Sequence, residues 1–191
     1  MSNGVKTLLI ILGVIAVLAI GAIMYGVGEY NKVVAMDQQV KTQWAQVDNQ
    51  LKRRYDLIPN LVEVVKGYAT HEKELFEHIA DARTKYFQAP APKDKIAASG
   101  QLEGFLSRLL VLQETYPTLK ANESFLKLHD DLAGTENRIA VERMRYNDLV
   151  NTLNTYRRTV FGKFFASLAG VNEAQYYEVP QAEKEAPKVK F

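Results

Sequence analysis

The chain has 191 residues, with 24 Lys and Arg against 22 Asp and Glu, a formal net charge of +2 and no cysteine. That length fits one domain of ordinary size with a core of its own. The charge balance excludes the strongly basic face that nucleic acid requires, and the missing thiols exclude disulfides, zinc–thiolate sites and cysteine chemistry.

In chain order, the first element is an apolar run from Thr7 to Gly28, TLLIILGVIAVLAIGAIMYGVG, without a single charge. As a helix rising about 1.5 Å per residue it reaches about 33 Å, slightly more than a hydrocarbon core of about 30 Å. Lys6 and Glu29 bracket it, and Tyr25 and Tyr30 lie near one end, where aromatic rings favour a membrane interface. A buried core helix rarely runs this far without a charge. A cleaved signal peptide asks for an apolar region of about 7–15 residues ending in small residues, and this run is longer. The expected partner of residues 7–28 is therefore a lipid bilayer, and residues 1–28 read as a transmembrane anchor. Orientation stays open. Lys6 and the α-amine stand on one flank and Lys32 and Lys41 on the other, which brings positive-inside counting close to a tie. Ala22 and Gly26 form a small-xxx-small pair of the kind that lets membrane helices associate.

From Tyr30 a 3-4 spacing begins. Positions 30, 33, 37, 40, 44, 47, 51, 54, 58, 61, 65 and 68 are apolar or aromatic except Asp37 and Arg54, a stripe of the coiled-coil kind. The glycines at 26 and 28 are the only weak points before it, so the membrane helix is expected to run straight into the stripe. Pro59 removes the hydrogen bond to the Tyr55 carbonyl and predicts a kink there. Thr70 reads as the cap of a second helix carrying Leu75, Ile79, Ala82 and Tyr86 inward. After the loop Gln88–Lys93, Asp94 reads as the cap of a third, with Leu102, Phe105, Leu106, Leu109 and Leu112 turned in. Pro117 ends it. Asn122 reads as the cap of the last long helix, striped from Phe125 through Leu132, Ile139, Tyr146 and Leu153 to Val160. Phe161 to Ala169 is expected to pack back on the bundle as a short helix. The fold class that follows is all-α: an N-terminal transmembrane helix, then an antiparallel up-down bundle of about four long helices over residues 29–170. Residues 171–191 read as a mobile C-terminal tail, most clearly over the Pro-, Lys- and Glu-rich end from Pro180.

The chemistry is sparse. His71, Glu72, Glu74, Glu77, His78 and Asp81 are the first place to look for a metal, with His71 and His78 on one helix face. The Glu-x-x-His pairs of di-iron bundles are absent, and so is His-Glu-x-x-His. Solvated histidines explain the cluster. Lys52-Arg53-Arg54 lies too far beyond the span for lipid headgroups, more than about 30 Å along a straight helix. Arg54, on the apolar stripe, needs a carboxylate, and Asp37, Asp56 or Glu142 are the expected partners. Arg138, Glu142 and Arg145 look like the same register-fixing device. The functional alternative is a buried polar site for a ligand or proton. No phosphate loop or nucleophile elbow is present, and no catalytic, cofactor-binding or metal-binding residue is assigned.

WAQVDNQLKRRYDLIPNLV from Trp44 to Val62, Val65-Lys-Gly-Tyr68 and His71-Glu72 resemble the LemA family. So do YPTLKANESF from Tyr116 to Phe125, Leu132, Thr135-Glu-Asn-Arg-Ile139, Arg145-Tyr-Asn147 and the terminal Pro187-Lys-Val-Lys-Phe191. The resemblance covers nearly the whole chain. It implies a bacterial inner-membrane protein with a helical-bundle domain, its short N-terminus outside and the bundle in the cytoplasm. The family's biochemical role is not established, and no site residues carry over.

Two function classes follow. One is a non-enzymatic membrane-anchored scaffold or adaptor, forming a homo-oligomer and meeting other membrane proteins, for which the tail ending Val189-Lys-Phe191 is a candidate surface. The other is a membrane-anchored enzyme or ligand-binding subunit with a polar or metal site between helices, built around Arg54, Glu142 and Asp37 or around His71 and His78.

Overall fold

The structure, a computed structural model, describes residues 3–178. The expected mobile tail from residue 179 onward, with the Val189-Lys-Phe191 surface, lies outside the described residues. Those residues form six helices and, among them, no strand: α1 Asn3–Lys66, α2 Lys73–Gln88, α3 Pro92–Thr115, α4 Pro117–Lys120, α5 Glu123–Arg158 and α6 Val160–Leu168. The all-α architecture follows the two periodic stripes. On α1, Val33, Val40, Val47, Leu51, Arg54, Ile58, Leu61 and Val65 are buried, and on α5 so are Phe125, Leu132, Thr135, Ile139, Tyr146 and Leu153. Side chains three and four apart share a helix face, so each stripe turns to the core as a unit.

The chain divides into two compact units. One comprises Met1–Lys41 and Leu149–Ala174, the other Thr42–Asp148 and Gln175–Phe191. Neither division falls at residue 28 or 170, because α1 and α5 each contribute to both units.

In the second unit, α1 from Thr42, α2, α3, α4 and α5 as far as Asp148 surround a core of Leu51, Tyr55, Ile58, Leu61, Ile79, Tyr86, Leu102, Leu106, Leu109, Leu119 and Phe125. Pro59 stands inside α1 without ending it. The ring leaves the Tyr55 carbonyl without its helical N–H donor, and Arg83 Nε of α2 donates to that oxygen at 3.0 Å. A side chain from another helix thus completes the gap. Thr70 does not cap α2. The helix starts three residues later, after Glu72, with no side-chain cap, and Phe76 rather than Leu75 takes the first inward position. α3 follows Ala91 with Pro92 in its first turn, so Asp94 lies within that turn instead of capping it; proline suits this place because the first helical N–H groups have no partner to lose. Ser99 joins Leu102, Leu106 and Leu109 inside, while Phe105 and Leu112 are half-buried. Asn122 caps α5 as expected, its Oδ1 accepting from the Phe125 amide at 2.9 Å, and its Nδ2 donates to the Tyr68 hydroxyl at 2.9 Å.

In the first unit, α6 packs against the end of the apolar run of α1. Phe161 meets Tyr25 edge-on with ring centroids 5.8 Å apart, and a Cβ at Gly26 would stand 3.7 Å from the Phe165 ring. Gly26, half-buried, is therefore partly screened by Phe165 of α6. Thr159 caps α6, its Oγ1 accepting from the Gly162 amide at 3.0 Å. At the other end, Gly170 with φ +66° closes a Schellman turn. The Val171 amide donates to Ala166 O at 2.9 Å and the Gly170 amide to Ser167 O at 3.2 Å.

Residues 171–178 are irregular but held, with Val171 and Tyr177 buried. In the first unit Asn154 brackets Ala174, donating to its carbonyl at 2.8 Å and accepting from its amide at 3.0 Å. In the second unit Asn147 does the same to Tyr177, at 3.0 and 2.8 Å. An asparagine amide offers one donor and one acceptor side by side, which matches the two backbone groups of one extended residue. This pairing satisfies backbone groups of Ala174 and Tyr177 that would otherwise be left to water.

Candidate functional site

Two places gather chemistry, one in each unit. In the second unit, polar groups are buried beneath the α1 stripe. Arg54 is 8% exposed. Its guanidinium reaches Glu103 of α3 at 2.6 Å and pairs with Glu136 of α5. The expected partners are engaged elsewhere: Asp56 with Arg83 at 3.2 Å, Glu142 with Arg145 at 2.9 Å and with Gln43 at 2.6 Å, and Asp37, in the first unit, with Lys41 at 2.6 Å. Glu103 also accepts from the Tyr55 hydroxyl at 3.3 Å. Nearly two turns earlier on α1, Asp48 accepts from the Tyr86 hydroxyl at 2.7 Å and pairs with Lys95 at 2.7 Å and Lys52 at 3.0 Å. The run Lys52-Arg53-Arg54 is thus split, with Lys52 on Asp48, Arg54 inside, and Arg53 exposed. Tyr55 and Tyr86 meet edge-on at 4.7 Å between the two clusters.

The electrostatics follow from these contacts. Burial pushes the Asp48 carboxyl up, but hydrogen bonds from Lys95, Tyr86 and Lys52 outweigh it, so the group titrates below its ordinary range. Burial raises the Tyr55 phenol well above its ordinary value, with Glu103 adding to the effect; burial and Asp48 do the same for Tyr86. Both phenols are therefore neutral donors. Beside them Ser99 Oγ lies 2.9 Å from the Tyr177 hydroxyl. A cavity of about 20 Å³, lined among others by Ser99, Glu103, Glu136, Arg143 and Tyr177, opens here; about one water molecule fits such a volume.

His71 and His78 border a shallow groove with Glu72, Glu74 and Arg108. His78 Nε2 lies 3.5 Å from Glu74 and its ring stacks on Phe105 at 5.3 Å between centroids. Among the described residues, no three His, Asp or Glu side chains are grouped to hold a metal ion.

The first unit offers apolar surface. Every large apolar side chain from Leu8 to Val27 is 51–70% exposed. The helix is long and apolar enough to cross a membrane. On α6, Val160, Phe161, Phe164 and Leu168 are exposed as well. Immediately beyond the run the surface turns polar. The Tyr156 hydroxyl donates to Glu29 Oε2 at 2.6 Å, and the Lys32 ammonium lies 4.8 Å over the Tyr156 ring. Burial and the Glu29 carboxylate push the Tyr156 phenol up to about 12.

Against known proteins, the LemA family profile matches residues 43–191. The chain belongs to the LemA family. It is similar to magnetosome protein MamQ 2 of Paramagnetospirillum magneticum, 24% identical over 89% of this chain and 71% of that protein. It is also similar to magnetosome protein MamQ of Magnetospirillum gryphiswaldense, 23% identical over 78% and 64%. Protein LemA of Metamycoplasma hominis is 21% identical over 95% of this chain and 83% of that protein. None of these names is that of an enzyme. LemA membership and the bare apolar helix together fit a membrane protein. The family blocks also coincide with the structural ones: Trp44–Val62 carries Asp48, Arg54 and Tyr55, and Arg145–Asn147 carries the asparagine that holds Tyr177.

Proposed function

We propose that this LemA protein is a non-enzymatic scaffold or adaptor, anchored in the bacterial inner membrane by one span over residues 7–28 and assembling with copies of itself. The observation that carries the reading is the uncovered apolar run from Leu8 to Val27 on a helix that continues to Lys66 as the main stripe of the core. Water does not tolerate so many exposed aliphatic side chains in one patch, and a bilayer does. Self-assembly draws support from Val141 and Met144, exposed three residues apart on one face of α5.

The test is the mass of full-length protein in detergent and in nanodiscs of bacterial lipid over a range of concentrations. Species larger than one chain are expected. A monomer under every condition overturns the assembly. The ligand-binding alternative draws on the buried Arg54–Glu103–Glu136 cluster, beside which a cavity of about 20 Å³ has room for about one water molecule, and on the groove of about 350 Å³ bordered by His71 and His78. Metal analysis of the purified protein discriminates: stoichiometric metal favours the alternative. Other membrane proteins as partners, recruited through the tail, are tested by truncating residues 179–191 and repeating a pull-down from membranes.

A further inference from the structure

α6 has three distinct faces. At about 100° of rotation per residue, Val160, Phe164, Leu168 and Phe161 fall within an arc of about 100°. All four are exposed, Val160 at 86% and Phe164 at 63%. Gly162 and Ala166 occupy the next sector and are buried, with Phe165 at its edge on Gly26. Lys163 and Ser167 occupy the third and are exposed. A helix that packs on one side and meets only water elsewhere has no use for four large apolar residues grouped on one exposed face. Isolated exposed side chains need no explanation, but a contiguous patch does.

The position of α6 says what covers that patch. Phe161 and Phe165 lie against Tyr25 and Gly26, in the last turn of the apolar run. One turn further along α1, Glu29 and Lys32 gather around Tyr156. The change from apolar to polar therefore falls at the same level on both pieces of chain: between 26 and 29 on α1, and between 156 and 161 across the α5–α6 turn. We infer that α6 is a second membrane-contacting element, a short interfacial helix that lies at the boundary of headgroups and acyl chains and inserts Val160, Phe161, Phe164 and Leu168 into lipid. Lys163 sits on the flanking sector, where its ammonium meets headgroup phosphates while its stem follows the apolar surface. This rests on the reading that residues 7–28 span the bilayer. Helix α6 would then fix the depth of the span's end and resist its rotation.

The absence of native cysteine allows a direct experiment. Single-cysteine variants Phe164→Cys, Leu168→Cys, Lys163→Cys and Val17→Cys of the full chain are labelled with an environment-sensitive fluorophore. They are reconstituted in phosphatidylcholine–phosphatidylglycerol vesicles with or without lipid carrying a quencher near the top of the acyl chain or near its end. Labels at 164 and 168 are expected to emit at shorter wavelength and to lose about half of their intensity to the shallow quencher. The label at 163 stays close to its value in water, and the label at 17 responds to the deep quencher. Water-like emission at both 164 and 168, with 17 still quenched, overturns the interfacial helix alone. An unquenched label at 17 overturns the span itself. Shielding at 164 and 168 without lipid quenching places another protein copy on the patch and also overturns the proposal. Two probe positions on the face guard against a single substitution that disturbs folding.

Discussion

At the scale of single residues, Arg54, Asp48 and the Tyr55 carbonyl all find partners on other helices, and the sequence shows the need more readily than the partner. Arg54 on the α1 stripe announces a carboxylate opposite it, yet Glu103 and Glu136 supply it. Which turn of α3 or α5 faces Arg54 depends on packing that no single-helix period encodes. The Tyr55 carbonyl left by Pro59 is a second case. Its acceptor is predictable from the proline, but Arg83 as the donor is not. The cost of breaking that bond is expected at about 1–3 kcal/mol, the penalty of an unsatisfied buried group. Arg83→Met should therefore lower the thermal midpoint of the detergent-solubilised protein. In a Pro59→Ala background the new amide can bond to Tyr55 itself, and Arg83→Met should cost much less. Strictly additive midpoint shifts in the double mutant would show that Arg83 does not serve the proline gap. Asp48 gives a pH-dependent counterpart. Its folded pKa lies below the ordinary carboxylate value, so its contribution is complete above about pH 4 and is lost as pH falls through the lowered value. Asp48→Asn should lower the midpoint at pH 7 by roughly 3–10 °C, since hydrogen bonds to a charged group are lost. The difference between variant and wild type should shrink on acidification toward pH 2. A gap that stays constant with pH would mean the carboxylate's charge is not what Tyr86, Lys95 and Lys52 stabilise.

At the scale of elements, the long helices are legible because their apolar periods are long and broken at few positions: α1 and α5 bury nearly the positions that a 3-4 spacing selects. The segment 171–178 is illegible for the opposite reason. Its order comes from Asn147 and Asn154 side chains pairing with its backbone, and that leaves no pattern in residues 171–178 themselves. The short helix α6 was visible in composition, while its seat on Tyr25 and Gly26 depends on the tight turn before it. Gly162 makes that turn possible. A Cβ there would overlap the Tyr156 carbonyl and stand 2.6 Å from Thr159 Oγ1, the atom that caps the helix. The obstacle is backbone, which cannot swing aside as a side chain does. Gly162→Ala is thus expected to cost about 1–3 kcal/mol and to shift α6 from its seat. The measurement is the quenching of a Phe164→Cys label by shallow lipid quencher, together with the thermal midpoint. An unchanged midpoint and unchanged quenching would show that the turn relaxes freely and that Gly162 does not set the position of α6.

At the scale of the whole molecule, the structure adds to the question of which way the chain points. Along the sequence, Lys6 and the α-amine before the span nearly balance Lys32 and Lys41 after it. Folding changes the count. The Tyr156–Glu29 hydrogen bond brings the end of α5 beside the end of the apolar run, and with it come Arg157, Arg158 and Lys163. Five basic side chains then belong to the first unit on the C-terminal side of the span, against one on the other. Acidic residues count little in this rule, and the cytoplasmic leaflet is the more anionic, worth about 1 kcal/mol for each Lys or Arg near its surface. The expected arrangement places residues 1–6 outside and the helical domain in the cytoplasm, the same sense that the LemA resemblance implies. Single cysteines at Gly4 and Asp130, in a chain that has none of its own, decide it. In intact spheroplasts a membrane-impermeant maleimide should label position 4 directly and position 130 only after permeabilisation. The reverse pattern would place the domain outside and show that the basic residues gathered at the foot of α5 do not govern orientation. If Arg157, Arg158 and Lys163 are the cause, replacing all three by Gln should increase the fraction of molecules labelled at 130 in intact cells. The same replacement leaves Lys6 and the apolar run untouched, so a change in orientation would be traced to charges that only the folded chain brings to the membrane.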